Sequence, residues 1–225
     1  MYTYESIAKM IDHSMLKPVF TDDEIREGCG IAEKYQVASV CVRPCDIELA
    51  NQLLKNCDVL VTTVIGFPNG STFPGIKLEE SKVAIDRGAV ELDMVLNIGK
   101  LKSGQYAYVK DEINAITEYA HSCDVKIKVI FENCYLTKQE IIKACEICNQ
   151  VGADWAKTST GFGSGGAEKE DILLMRQHCK PEIQIKAAGG IRTLEQAIQV
   201  KELGCTRFGA TATVAILEQL KSTLA

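Results

Sequence analysis

The sequence predicts an α/β fold, a single (β/α)8 TIM barrel preceded by a short extra helix. Three observations carry that expectation. Eight short apolar runs begin near Ile11, Val37, Val59, Ala89, Lys126, Ala153, Ile183 and Cys205. Their spacing averages about 28 residues, the length of one strand plus one helix, and eight such units suit a closed barrel better than an open doubly wound sheet. No Pro-, Gly- or Ser-rich linker divides the 225 residues, so residues 1–225 read as one domain.

In chain order, residues 1–10 read as the extra helix before the first strand. Thr21-x-x-Glu24 then fits a capping box, in which side chains satisfy the free N–H groups at a helix start. Ile25, Cys29 and Ala32 continue the apolar stripe of that helix. Val109, Ile113, Ile116 and Ala120 recur on one face of a 3.6-residue period before the fifth strand. Thr137-x-x-Glu140 opens the next helix, with Ile141, Cys145 and Cys148 as its stripe, and Thr193-x-x-Gln196 opens the one ahead of the last strand.

Composition narrows the function classes. Hydrophobic residues make up 46% and charged residues 24%, the balance of a soluble globular protein. A net charge of −5 lacks the basic footprint that nucleic acid or an anionic membrane needs, so neither is expected as a partner. The start of the sequence has no secretory pattern, and no apolar run approaches the ~20 residues of a membrane span, which points to the cytoplasm. The ten cysteines are accordingly expected as thiols. Cys145-x-x-Cys148 lies on an apolar helix stripe with no second Cys/His pair, so packing is preferred to a zinc site, and no metal is expected.

The period-2 alternation along the strands places charge where a barrel normally holds branched apolar side chains. Glu91, Asp93, Val95 and Asn97 share one face, as do Lys126, Lys128, Ile130 and Glu132. Trp155, Lys157 and Ser159 follow, then Gln184, Lys186 and Ala188. The opposite faces are apolar and must cover the helix layer, so the charged faces point into the lumen. Lys157, Lys186 and Asp93 fall near the C-terminal strand ends, where barrel active sites sit. Two lysines and a carboxylate suit Schiff-base chemistry. One amine is deprotonated by desolvation and a neighbouring ammonium and attacks a carbonyl, while the carboxylate moves protons. No cofactor is needed for that chemistry.

The strings Ile11-Asp12-His13-Ser14-Met15-Leu16-Lys17-Pro18, Glu91-Leu92-Asp93-Met94-Val95, Lys157-Thr158-Ser159-Thr160-Gly161-Phe162 and Lys186-Ala187-Ala188-Gly189-Gly190-Ile191-Arg192 resemble the 2-deoxyribose-5-phosphate aldolase family. The resemblance runs in order from residue 11 to about residue 215. It implies Lys157 as the Schiff-base lysine, Lys186 as the lysine that lowers its pKa, and Asp93 as the proton donor and acceptor. It implies reversible cleavage of 2-deoxy-D-ribose 5-phosphate to D-glyceraldehyde 3-phosphate and acetaldehyde, by a cytoplasmic homodimer.

The phosphate end is also readable from the fold. Gly189 and Gly190 follow the seventh strand, and Gly209, Ala210 and Thr211 the eighth, which is the usual phosphate seat of a barrel; Gly161 and Arg192 join the candidate set. Asp12, Cys41, Lys128 and Thr160 are expected to support the lysines and the substrate, and Asp12 and Glu132 to hydrogen-bond lumen lysines. The run Gly161-Phe162-Gly163-Ser164-Gly165-Gly166 matches G-x-G-x-x-G but follows the sixth strand, so a loop closing over substrate is preferred to a nucleotide site. Three departures from the family pattern bear on substrate: Thr211-Ala212 in place of two small hydroxyl residues, Arg43 on the lumen parity, and Ser14 for a threonine. Two alternatives stay open, a Schiff-base aldolase for another phosphorylated sugar and a silent barrel that binds a sugar phosphate.

Overall fold

A computed structural model describes residues 2–224. Helix α1 (Tyr4–Ala8) forms the N-terminal extra helix, and β1 (Ile11–Met15) starts the barrel. There follow α2 (Asp22–Tyr35), β2 (Ser39–Val42), α3 (Ile47–Leu54), β3 (Leu60–Ile65), α4 (Pro74–Asp86) and β4 (Glu91–Val95). The second half runs α5 (Ile98–Lys102), α6 (Tyr106–Ser122), β5 (Lys126–Ile130), α7 (Lys138–Val151), β6 (Trp155–Lys157), α8 (Lys169–His178), β7 (Gln184–Ala188), α9 (Leu194–Glu202), β8 (Cys205–Ala210) and α10 (Thr213–Leu224). The eight strands pair in sequence order, all parallel, and β1 closes on β8.

The expected helix starts are present. The hydroxyls of Thr21, Thr137 and Thr193 accept from the amides of Glu24, Glu140 and Gln196, whose side chains return the bond to the cap backbone. Thr3 and Ser6 build a further capping box on α1. Several strands begin one or two residues after their apolar runs. Val37, Ala89 and Ala153 instead bond back to the carbonyls of Ala32, Ala84 and Cys148, closing the preceding helix as buried plugs.

Outward-facing strand residues such as Leu92, Met94, Ile127, Val129, Ile185 and Phe208 are fully buried against the helix layer. Ile113, Ile116, Ile141, Cys145 and Cys148 meet them from the helix side, so the Cys145/Cys148 pair is core packing as expected. Inside that layer lies an ion pair that periodicity does not reveal. Lys77 on α4 reaches Glu112 on α6 at 2.8 Å with neither side chain exposed, and its ammonium also donates to the Val95 carbonyl at 2.7 Å. The other Glu112 oxygen accepts from the Asn97 amide at 3.1 Å, so the pair clamps the C-terminal end of β4.

Three members of the strand alternations do not reach the lumen. Asn97 lies beyond β4, and its side chain accepts from the Lys100 amide to cap α5 rather than entering the lumen. Glu132 adopts a left-handed backbone (φ 57°) past the end of β5. Lys126 is exposed at the N-terminal rim, where it pairs with Asp154 at 2.9 Å. Among the described residues, no helix is long and apolar enough to cross a membrane.

Candidate active site

Each of the eight strands sends at least one polar side chain into the lumen, among them Asp12, Cys41, Thr62, Asp93, Lys128, Lys157, Lys186 and Arg207, with Ser39 on β2 beside Asp12 and Glu91 on β4 below Asp93. Asp93 is the hub. Its Oδ2 accepts from both Lys157 and Lys186 at 2.6 Å, and its Oδ1 from Lys128 at 2.9 Å. Lys186 also pairs with Asp12, whose Oδ1 takes the Ser39 hydroxyl at 2.7 Å. Lys128 completes its set with Glu91, and Arg207 places its guanidinium on Glu91 at 2.6 Å and on Asp12 at 3.2 Å. Lys128 and Arg207 both lie over the Trp155 ring, at 5.6 and 5.7 Å, and that ring floors the lumen.

Burial dominates the protonation of these groups, and paired charge decides where it is resisted. Burial would raise the Asp93 carboxyl, but Lys128, Lys157 and Lys186 together hold it well below the usual carboxylate range. Burial would lower Lys186, yet Asp12 and Asp93 outweigh it and the ammonium is held more firmly than normal. Lys128 and Arg207 are raised in the same way, by Asp93 and Glu91 and by Asp12 and Glu91. Lys157 goes the other way. Burial lowers it, its one carboxylate partner is shared with Lys186, and the Lys186 ammonium lowers it further.

Above the two lysines opens a cavity of about 310 Å³. Its wall includes Cys41, Lys157, Thr160, Gly161 and Lys186, and its far end Gly189, Gly190, Arg192, Gly209 and Thr211. Every residue singled out for the phosphate end therefore lies on one cavity, together with Ser14 and Lys17 from β1 and the loop after it. Asp93, Asp12 and Lys128 stand behind the lysines, off the cavity wall. Burial raises the Cys41 thiol to about 11, which keeps it protonated at neutral pH. The glycine-rich loop after β6 packs on the one after β7. The Ala167 amide donates to the Gly189 carbonyl at 3.0 Å, and a Cβ on Gly166 would lie 2.4 Å from that oxygen. Phe162 sits edge-on to Phe67, 5.2 Å between ring centres, at the lip.

Glu132 and Arg43 depart from expectation, the end of α10 stays off the cavity, and Arg207 completes the lumen. Glu132 does not bond a lumen lysine; its carboxylate takes the Thr160 amide at 3.1 Å and the Thr160 hydroxyl, because the left-handed turn at Glu132 points it at that loop. Arg43 shares the lumen parity only nominally. It lies past β2, pairs with Asp46 at 2.6 Å and donates to the Pro18 carbonyl, away from the cavity. Residues 221–224 continue α10, with Lys221 over the Tyr35 ring, so they do not lie across the cavity; Ala225 is outside the described residues. Sequence reasoning missed Arg207, although it shares the β8 alternation with Gly209 and Thr211. The period-2 rule applied to that strand would have found it.

Residues 6–217 match the DeoC/LacD family aldolase. A deoxyribose-phosphate aldolase from Caldanaerobacter subterraneus subsp. tengcongensis is 50% identical over 217 residues, 96% of this chain and 94% of the relative. One from Thermococcus gammatolerans is 50% identical over 214 residues, 94% of this chain and 95% of the relative. The solved structure of a deoxyribose phosphate aldolase from Aeropyrum pernix, described as tetrameric, superposes with a TM-score of 0.91 at 28% identity, covering 98% of this chain and 93% of that one. A family match across almost the whole chain, with relatives half-identical over the same span, makes this protein a member of the DeoC/LacD aldolase family and a carbon–carbon lyase.

Proposed function

We propose that the chain reversibly cleaves 2-deoxy-D-ribose 5-phosphate to D-glyceraldehyde 3-phosphate and acetaldehyde through a Schiff base on Lys157. The observation that carries this reading is the sharing of Asp93 Oδ2 by two buried lysines directly beneath a cavity. A nucleophilic lysine must be neutral, and Lys157 is the lumen lysine that burial and a neighbouring ammonium push in that direction.

The Lys157 nitrogen attacks the C1 aldehyde, and loss of water leaves a protonated imine. Removal of the C3 hydroxyl proton breaks the C2–C3 bond, with the electron pair drawn into the iminium to give an enamine and free glyceraldehyde 3-phosphate. Protonation of the enamine at C2 and hydrolysis of the imine release acetaldehyde and restore the amine. Asp93, held ionised, is the acceptor in these transfers, and Lys186, held protonated, is the donor that restores it. The phosphate takes the end of the cavity at Gly189, Gly190, Gly209 and Thr211, where the positive φ of Gly189 and Gly190 exposes backbone amides and α9 and α10 begin nearby. Arg192 adds charge at the mouth, and Gly161 and Thr160 form the facing wall. Residues 1–225 act as one barrel domain, and the same reading carries a cytoplasmic homodimer, which light scattering of the purified chain tests.

Borohydride reduction in the presence of acetaldehyde, followed by peptide mass spectrometry, tests the chemistry. The adduct is expected on Lys157, and its absence or its location elsewhere refutes the mechanism. Retro-cleavage of deoxyribose 5-phosphate against deoxyribose tests the phosphate end, where equal efficiencies would remove the role given to Gly190 and Gly209.

A further inference from the structure

The lumen holds more positive charge than negative. Among the described residues its buried cationic groups are Lys128, Lys157, Lys186 and Arg207, and its carboxylates are Asp12, Glu91 and Asp93. The other lumen groups, Cys41, Ser39 and Thr62, bring no charge near neutral pH, and Glu132 lies past the end of β5 with its carboxylate on the Thr160 loop, outside the lumen. A buried excess charge is costly, so the lattice relaxes by releasing one proton. The partner counts say from where. Lys186 lies on Asp12 and Asp93, Lys128 on Glu91 and Asp93, and Arg207 on Glu91 and Asp12, whereas Lys157 has a single carboxylate oxygen that it shares.

We propose that Arg207, which does not line the cavity, is a positioning residue for the aldol chemistry: it supplies the cation in excess that makes Lys157 shed its proton. A guanidinium does not lose its own proton, so the imbalance must be relieved at a lysine. Arg207 also occupies Glu91 and part of Asp12, which leaves Asp93 as the sole carboxylate beside Lys157. The assignment rests on the Schiff-base role of Lys157 proposed above.

The size of the effect follows from the contacts. Arg207 meets Asp12, Asp12 meets Lys186, and Lys186 shares Asp93 Oδ2 with Lys157, so the two charges are linked through one lysine at a separation on the order of 10 Å. At an effective dielectric constant of about 20, a unit charge at that distance shifts a lysine by about one pKa unit.

The test reads the pH midpoint of acetaldehyde–borohydride trapping at Lys157, by peptide mass spectrometry, in four proteins. Arg207→Met is expected to raise the midpoint by about one pH unit, and Glu91→Gln to lower it by a similar amount. The double variant restores an excess of one cation and is expected to return to within about 0.3 units of the wild type. A purely structural Arg207 would reduce trapping at every pH without moving the midpoint. An unmoved midpoint in soluble Arg207→Met, or a double variant displaced as far as the single one, overturns the proposal. If Arg207→Met does not fold, Glu91→Gln and the double variant decide on the same terms, an unmoved Glu91→Gln being the overturning result. A wild-type adduct on a residue other than Lys157 overturns the Schiff-base reading and this one with it; an adduct on Lys157 with unmoved midpoints overturns this one alone.

Discussion

Replacing Lys186 by methionine removes an ammonium while keeping the volume of its stem. Lys157 and Lys186 both lie 2.6 Å from Asp93 Oδ2, so their nitrogens are no more than about 5 Å apart. At an effective dielectric constant of about 20 that repulsion is about 3.3 kcal/mol, or roughly 2.4 pKa units on Lys157. Removal of Lys186 also gives Lys157 sole use of Asp93 Oδ2, which acts in the same upward direction. The neutral fraction of Lys157 at pH 7 should therefore fall by about 100-fold or more. The assay is the pH profile of kcat/KM for retro-cleavage, run beside borohydride trapping. The acidic limb should move up by about 2 pH units, with trapping recovering towards pH 9. If Lys186 served solely to donate protons, turnover would be lost at all pH values while trapping kept its wild-type midpoint. A trapping midpoint displaced by less than about 0.5 units refutes the electrostatic reasoning.

Three further outcomes follow from groups outside the lumen. Burial lowers His13 to about 4 from its ordinary 6.5, so unfolding takes up a proton below pH 6.5 and the wild type should lose about 3 kcal/mol between pH 6.5 and 4; urea midpoints of His13→Asn over that range should be flatter, and parallel curves would refute it. Removing one member of the buried Lys77–Glu112 pair, as in Lys77→Met, should cost about 3–5 kcal/mol in urea unfolding. Replacing both by apolar residues should cost less than either single change, and an additive loss would contradict that. Gly166→Ala would drive a Cβ against the Gly189 carbonyl and displace the proposed phosphate loop, raising KM for the phosphorylated sugar about tenfold while leaving kcat/KM for deoxyribose within about twofold; equal losses on both sugars would count against a local effect.

The barrel was legible because each strand obeys a simple alternation and each capping box announces its helix, as at Thr21, Thr137 and Thr193. The convergence of Lys157, Lys186 and Asp93 was legible for the same reason, since parity puts all three in the lumen. Alternation failed where strands end. Asn97, Glu132 and Arg43 keep the parity in number but lie past the last paired residue of their strands, where local partners take the side chain: Asn97 caps α5, Arg43 pairs with Asp46, and Glu132 turns left-handed towards Thr160. The Lys77–Glu112 pair was invisible because its members sit on two different helices, 35 positions apart, and neither helix pattern alone signals a charge facing inward.

The charged lumen has a consequence for how the chain assembles. A strand paired one residue out of register would swing Lys128, Lys157, Lys186 or Arg207 into the apolar layer beneath the helices, with no carboxylate to meet it. Purely aliphatic strands would tolerate such a slip far better. The side chains assigned to chemistry thus double as proofreaders of the barrel's closure, penalising misaligned sheets before the helices can cover them. A variant stripped of these charges would gain inertness and lose fidelity in finding a single native arrangement.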